Sequence, residues 1–171
     1  MTIEEAINTA IEYETRVQGV YAEAESAEKD ATAKEVLGTL AREEKFHIDY
    51  LEKRRAEWLK NGTVTPEALE TALPSPEKIR EGVSRLKANL DGQNQDHRAS
   101  LETLQKCLKV EEETSAFYQK MVDTLPGDAR KMFARFLEIE EGHQAFVAAE
   151  IDAVQGLGYW FDFKEFDLEA G

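Results

Sequence analysis

The strongest constraint on this chain is a pattern that occurs twice. Glu44-Lys-Phe-His47 and Glu140-Glu-Gly-His143 each set a carboxylate and an imidazole three residues apart, and the two stretches lie 96 positions apart. On an α-helix that spacing turns both side chains to one face. Each pair also has a glutamate and a tyrosine upstream. Glu14, 30 residues before Glu44, is followed seven residues on by Tyr21; Glu111, 29 before Glu140, is followed seven on by Tyr118. A chain of this kind reads as two matching helical hairpins, each carrying half of one site.

Helical periodicity runs through the rest of the chain. Thr2 and Glu5 fit a capping box, and Ile3, Ile7, Ala10, Glu14, Val17 and Tyr21 step by three and four, predicting a first helix from Thr2 into the mid-twenties. A second helix is expected from Asp30 or Thr32, the latter boxed with Glu35, to about Lys60, where Asn61-Gly62 ends it. Its apolar stripe is Leu37, Leu40, Leu51 and Trp58, with Glu44 and His47 standing where leucine would be expected. Thr65-Pro66 and Ser75-Pro76 each look like a cap followed by proline at the first helical position, predicting a helical turn and then a modest helix from Pro76 to about Leu90. A third long helix is read from around His97 to Leu125 and a fourth, carrying Phe133, Phe136, Glu140, His143, Val147 and Ile151, to close to Gly156 or Gly158.

Two hairpins joined by a long crossover make an all-α four-helix bundle. Residues 1–156 are expected to form that one domain, with the crossover at 61–96. The aromatic tail, 157–171, is expected to pack on the bundle or on a partner subunit, because so much apolar surface left in water is unfavourable. An offset of 96 or 97 superposes Leu37 on Phe133, Leu40 on Phe136, Glu44 on Glu140, His47 on His143, Glu14 on Glu111 and Tyr21 on Tyr118.

Charge narrows the partners. A formal charge of −14 and a pI near 4.7 repel phosphate backbones and anionic lipid heads, so neither nucleic acid nor a membrane surface is expected. With no long apolar run and no basic leader before one, a cytoplasmic protein is the expectation. Cys107 is alone, so it can neither form an internal disulfide nor build a thiolate cluster, and a buried helical thiol is the reading.

Four glutamates on core-facing stripes would each cost several kcal/mol if ionised and uncompensated. No lysine or arginine falls on those stripes near them. A pair of metal ions about 3.5–4 Å apart is the simplest compensation, with bridging carboxylates neutralising the charge and an imidazole completing each end. Glu14, Glu44, His47, Glu111, Glu140 and His143 are the candidate ligands. Oxygen-rich donors of this sort suit two iron ions, and accept manganese or zinc. Tyr21 and Tyr118 are candidates for orienting a ligand glutamate through their hydroxyls. His97 has no partner at ligand spacing, and Glu112 and Glu113 read as an exposed charged face.

Over residues 1 to about 155, through the paired Glu-x6-Tyr and Glu-x-x-His elements, the chain resembles the diiron domain of the rubrerythrins in the ferritin-like superfamily. The resemblance implies a non-haem diiron oxidoreductase that reduces hydrogen peroxide, with Tyr21 and Tyr118 beside the centre lending protons or orienting carboxylates. Rubrerythrins add a four-cysteine rubredoxin domain for electron entry. Cys107 alone cannot supply one, so an external donor such as a rubredoxin-like protein is implied. They also place a further glutamate one turn beyond the third-helix ligand, where this chain has Thr114. Ferritin-like relatives commonly dimerise, so a homodimer is expected. The same ligands would serve ferrous oxidation by dioxygen with storage or delivery, and a metal-free structural bundle is the remaining alternative.

Overall fold

The computed structural model describes residues 1–75, 77–79, 81, 98–156 and 160, and among them there are helices and no strand. Four long helices carry the architecture: α1 (Ile3–Ala27), α2 (Ala31–Asn61), α3 (Arg98–Thr124) and α4 (Gly127–Gly156). Their ends follow from local chemistry. Thr2 and Glu5 complete the expected capping box on α1. The Glu28 carboxylate then accepts the N–H groups of Lys29 and Asp30, which tightens the turn into α2. Asp30 caps α2 by accepting from the Ala33 N–H at 2.9 Å, so the helix begins one residue ahead of the Thr32 alternative. Gly62 closes α2 at φ 67°, the left-handed conformation that a side chain disfavours.

Helix directions can be read from the contacts. Tyr21 of α1 meets Glu111 of α3 while Glu14 of α1 meets Tyr118, so α1 and α3 run antiparallel. Likewise Glu44 of α2 lies beside His143 of α4 and His47 beside Glu140, so α2 and α4 are antiparallel. With each hairpin antiparallel as well, α2 and α3 must point the same way, and the connection between them has to travel the length of the bundle. At 31 residues α2 is roughly 46 Å long, which the 62–97 segment can span.

The described part of that crossover lies along α2. Arg54 donates to the Thr65 carbonyl (2.7 Å) and to Glu67 (3.2 Å), Tyr50 donates to the Glu67 carbonyl (3.0 Å), and Glu43 accepts from the Thr71 hydroxyl (2.6 Å) and the Ala72 N–H (2.9 Å). From α4, Arg135 donates to the Leu69 carbonyl at 2.8 Å. These bonds explain a departure from the sequence reading. Thr65-Pro66 starts no helix, because the Thr65 hydroxyl is given to Glu57 and the Thr65 and Glu67 carbonyls are taken by α2 side chains. At Ser75-Pro76 a helical turn does begin, with the Ile79 N–H bonding the Ser75 carbonyl; the rest of the expected helix to Leu90 lies outside the described residues, as does His97.

The core comes in two blocks. One is built from Leu37, Leu40, Leu104, Phe146 and Ala153 with Leu73 and Ile79 of the crossover and Trp160 of the tail. The other holds Ile7, Leu51, Phe117, Tyr118, Met121, Phe133 and Phe136 with Val64 and Leu69. Each helix passes from one block to the other through a polar residue: Ala10 to Val17 across Glu14, Leu40 to Leu51 across Glu44, Cys107 to Phe117 across Glu111, Phe136 to Phe146 across Glu140. A charged layer therefore sits between two dry caps. Among the described residues no helix is long and apolar enough to cross a membrane.

Candidate metal centre

All six residues expected to bind metal meet in that layer, each at 1% exposure or less. Their positions follow from helical period, since Glu14, Glu44, Glu111 and Glu140 lie on the stripes that also carry the core leucines and phenylalanines. The donors form two overlapping groups. Glu14, Glu44, His47 and Glu140 offer ligand atoms within 4.8 Å of one another, and so do Glu44, Glu111, Glu140 and His143. Glu44 and Glu140 belong to both groups. Carboxylates have two oxygens, so Glu44 and Glu140 could serve a cation held with Glu14 and His47 on one side or with Glu111 and His143 on the other.

Both imidazoles turn Nδ1 inward. His47 Nδ1 hydrogen-bonds Glu14 Oε2 at 3.2 Å and lies 3.3 Å from Glu44 and 3.4 Å from Glu140. His143 Nδ1 is 2.8 Å from Glu44 Oε1, without the alignment of a hydrogen bond, and 3.6 Å from Glu111. The two rings lie nearly parallel, 13° apart at 5.5 Å between centroids, which joins α2 to α4 across the centre.

The two tyrosines cross between hairpins. Tyr21 on α1 donates its hydroxyl to Glu111 on α3, and Tyr118 on α3 donates to Glu14 on α1. Each therefore fixes the terminal glutamate of the other half. Burial, reinforced by the neighbouring carboxylates, raises both phenols well above their ordinary range, so they remain hydrogen-bond donors.

The charges are strongly coupled. Burial, with the Glu44 charge beside it, pushes the Glu14 carboxyl up to about 8. Burial and then the charges of Glu44, Glu14 and Glu111 raise Glu140 well above the carboxylate range. Glu44 goes the other way: desolvation opposes its ionisation, but His143 and His47 outweigh that and hold it low. For both histidines burial favours the neutral ring, yet the surrounding glutamates win and raise them. Protons thus offset part of a carboxylate excess that the fold itself leaves in place. Hydrogen bonds do not cover the remainder. Both oxygens of Glu44 and of Glu140, one of Glu111, and Nε2 of both histidines are buried without a hydrogen-bond partner. Such orphaned atoms are costly and uncommon in folded proteins, and a cation among them supplies what they lack. The donor set is fit to hold metal.

Three neighbours, Glu43, Gln144 and Arg54, escaped the sequence reading. Glu43 is 7% exposed and comes within 3.8 Å of His143 Nε2. It has no repeat partner to mark it, since the matching residue before Glu140 is Ile139. Gln144 donates to the Glu111 carbonyl (3.2 Å) and to Ser115, tying α4 to α3 next to two ligands. Arg54 is buried with the Thr65 carbonyl and the Glu67 carboxylate of the crossover as partners, which α2 alone does not announce. Thr114 is fully buried and bonds its own helix at Val110, so no carboxylate enters from one turn beyond Glu111. Glu112 is exposed and Glu113 pairs with Arg16 at 2.7 Å on the surface. Cys107 is a buried thiol that burial raises to about 12, far from the reactive range.

What these residues define is a helical protein with a buried carboxylate–imidazole cluster able to hold metal ions. No protein-family model matches the chain, and neither a curated protein nor a solved structure does.

Proposed function

We propose that this chain is a ferritin-like dinuclear-metal oxidoreductase of the rubrerythrin kind, which reduces hydrogen peroxide at a carboxylate-bridged diiron centre with electrons from a separate donor protein. One observation carries the reading. Two four-residue donor groups share Glu44 and Glu140, each completed by one further glutamate and one histidine, in a layer without water access. The up-down-down-up course of the helices, with its single long crossover, supports the ferritin-like assignment.

Glu44 and Glu140 would bridge the ions, Glu14 and His47 would hold one, and Glu111 and His143 the other. When bound, a ferrous pair supplies the two electrons that cleave the peroxide O–O bond, and two protons complete two waters. The protein's own part is positional. Tyr118 and Tyr21 hold Glu14 and Glu111 in place by donating to Oε1 of each, which leaves Glu14 Oε2 to His47 Nδ1 and Glu111 Oε2 without a hydrogen-bond partner. Apolar blocks on both sides keep bulk water out and strengthen every charge interaction within. A metal-free structural role is disfavoured by the same carboxylate oxygens, which no hydrogen bond within the protein satisfies.

The test is anaerobic loading with ferrous iron, elemental analysis, and stopped-flow oxidation by peroxide and, separately, by dioxygen. Two irons per chain and faster oxidation by peroxide are expected. Fewer than two irons would overturn the dinuclear reading; two irons with dioxygen the faster oxidant would overturn the peroxidase assignment in favour of ferrous oxidation.

A further inference from the structure

The repeat that builds the centre is broken at a buried position beside it. Glu43 precedes Glu44, while the residue at the same place before Glu140 is Ile139, 2% exposed and apolar. Glu43 does not point to the surface. Its carboxylate is clamped by the Thr71 hydroxyl at 2.6 Å and the Ala72 N–H at 2.9 Å, both from the crossover, and its Oε2 stands 3.8 Å from His143 Nε2. That nitrogen has no hydrogen-bond partner of its own.

Glu43, His47 and His143 also bring ligand atoms within 4.8 Å of one another, as a third ion site would. Imidazole chemistry argues against a third ion. A neutral imidazole has one lone pair, so a ring that binds metal through Nδ1 carries its proton on Nε2. What faces Glu43 is then an N–H donor. A closing of roughly 0.8 Å would make the contact a normal hydrogen bond.

On the dinuclear reading above, we propose that Glu43 is a positioning residue that makes the two halves of the centre unequal: held by the crossover, it accepts the Nε2–H of His143 and fixes that ring for its ion. A carboxylate behind a ligand histidine sets the tautomer and makes the inward nitrogen a better donor. The ion held by Glu111 and His143 therefore binds more tightly, and the first metal to arrive goes there.

Titrating the metal-free protein with Mn(II), followed by calorimetry and electron paramagnetic resonance, tests this. Wild type is expected to fill in two distinguishable steps. Glu43→Gln and Glu43→Ala should weaken the tighter step by about 10–100-fold and leave the other within about threefold. Thr71→Val, which removes one donor of the clamp together with the acceptor of the Leu73 N–H, should shift the same step in the same direction by less. Equal weakening of both steps, or of neither, in variants whose metal-free circular dichroism matches wild type overturns the role of Glu43 alone. A wild-type chain that takes up fewer than two ions overturns the dinuclear reading and this inference with it.

Discussion

Removing the Tyr118 hydroxyl while keeping its ring isolates one bond of the centre. In Tyr118→Phe the ring retains its packing on Phe136 and Phe133, at 5.1 and 5.8 Å between centroids, so no apolar surface is lost. Only the hydrogen bond to Glu14 goes. Such a bond contributes about 1 kcal/mol to a neutral carboxyl and about 1.5–3 kcal/mol to an ionised one. Burial raises Glu14 to about 8, so near neutral pH the metal-free protein carries it largely protonated, whereas a bound cation requires the carboxylate. The metal-free variant should therefore melt about 2–4 °C lower than wild type, on the scale expected per kcal/mol for a chain of this size. With metal bound the cost should be about 1 kcal/mol larger, which is roughly a fivefold loss of metal affinity. Thermal melts of chelator-treated and metal-loaded protein, beside a metal titration, measure both. Equal losses in the two forms would refute the change of charge on Glu14, and no loss in either would refute the buried bond.

Other outcomes follow from the same layer. Glu140→Leu removes a carboxylate with two unpartnered oxygens, so the metal-free protein should gain about 1 kcal/mol or more in chemical denaturation while dinuclear loading is lost; a fall in stability would contradict this. Glu111→Ala should abolish peroxide turnover, and unchanged turnover would remove Glu111 from the centre. Glu14, raised from an ordinary 4.5 to about 8, lends stability that is complete below 4.5 and lost as pH climbs towards 8, and the raised histidines act with the same sign above 6.5. Glu44, held low, has the opposite sign but completes its gain by about pH 4.5. The metal-free melting temperature should accordingly fall between pH 5 and 8, while the increment added by metal grows over the same range; a flat metal-free profile would count against the coupled cluster. Arg54→Met frees the crossover from α2 and should cost about 1.5–3 kcal/mol, read as earlier proteolysis near residues 63–70.

The candidate ligands were legible because each violates an otherwise apolar helical stripe, and period alone brings such violations to one level of a bundle. Tyr21 and Tyr118 could be placed near the layer by spacing, but not the fact that each serves the opposite hairpin, which depends on α1 and α3 running antiparallel. Glu43 and Arg54 were invisible for a common reason: both face the groove that the crossover fills, and that path is set by side chain to carbonyl bonds with no periodic signature. Thr65-Pro66 misled because a good helix start was outcompeted by partners far away in sequence.

A centre assembled from two identical hairpins would be bound to exact equivalence, since any change in one copy appears in the other. Joining both halves in a single polypeptide lifts that restriction, and the pairing of Glu43 with Ile139 is one place where this chain departs from its own internal twofold. The linker that covers the departure lies outside the repeat. Its Thr71 and Ala72 reach one half only, so the chain's connectivity itself gives the centre a left and a right.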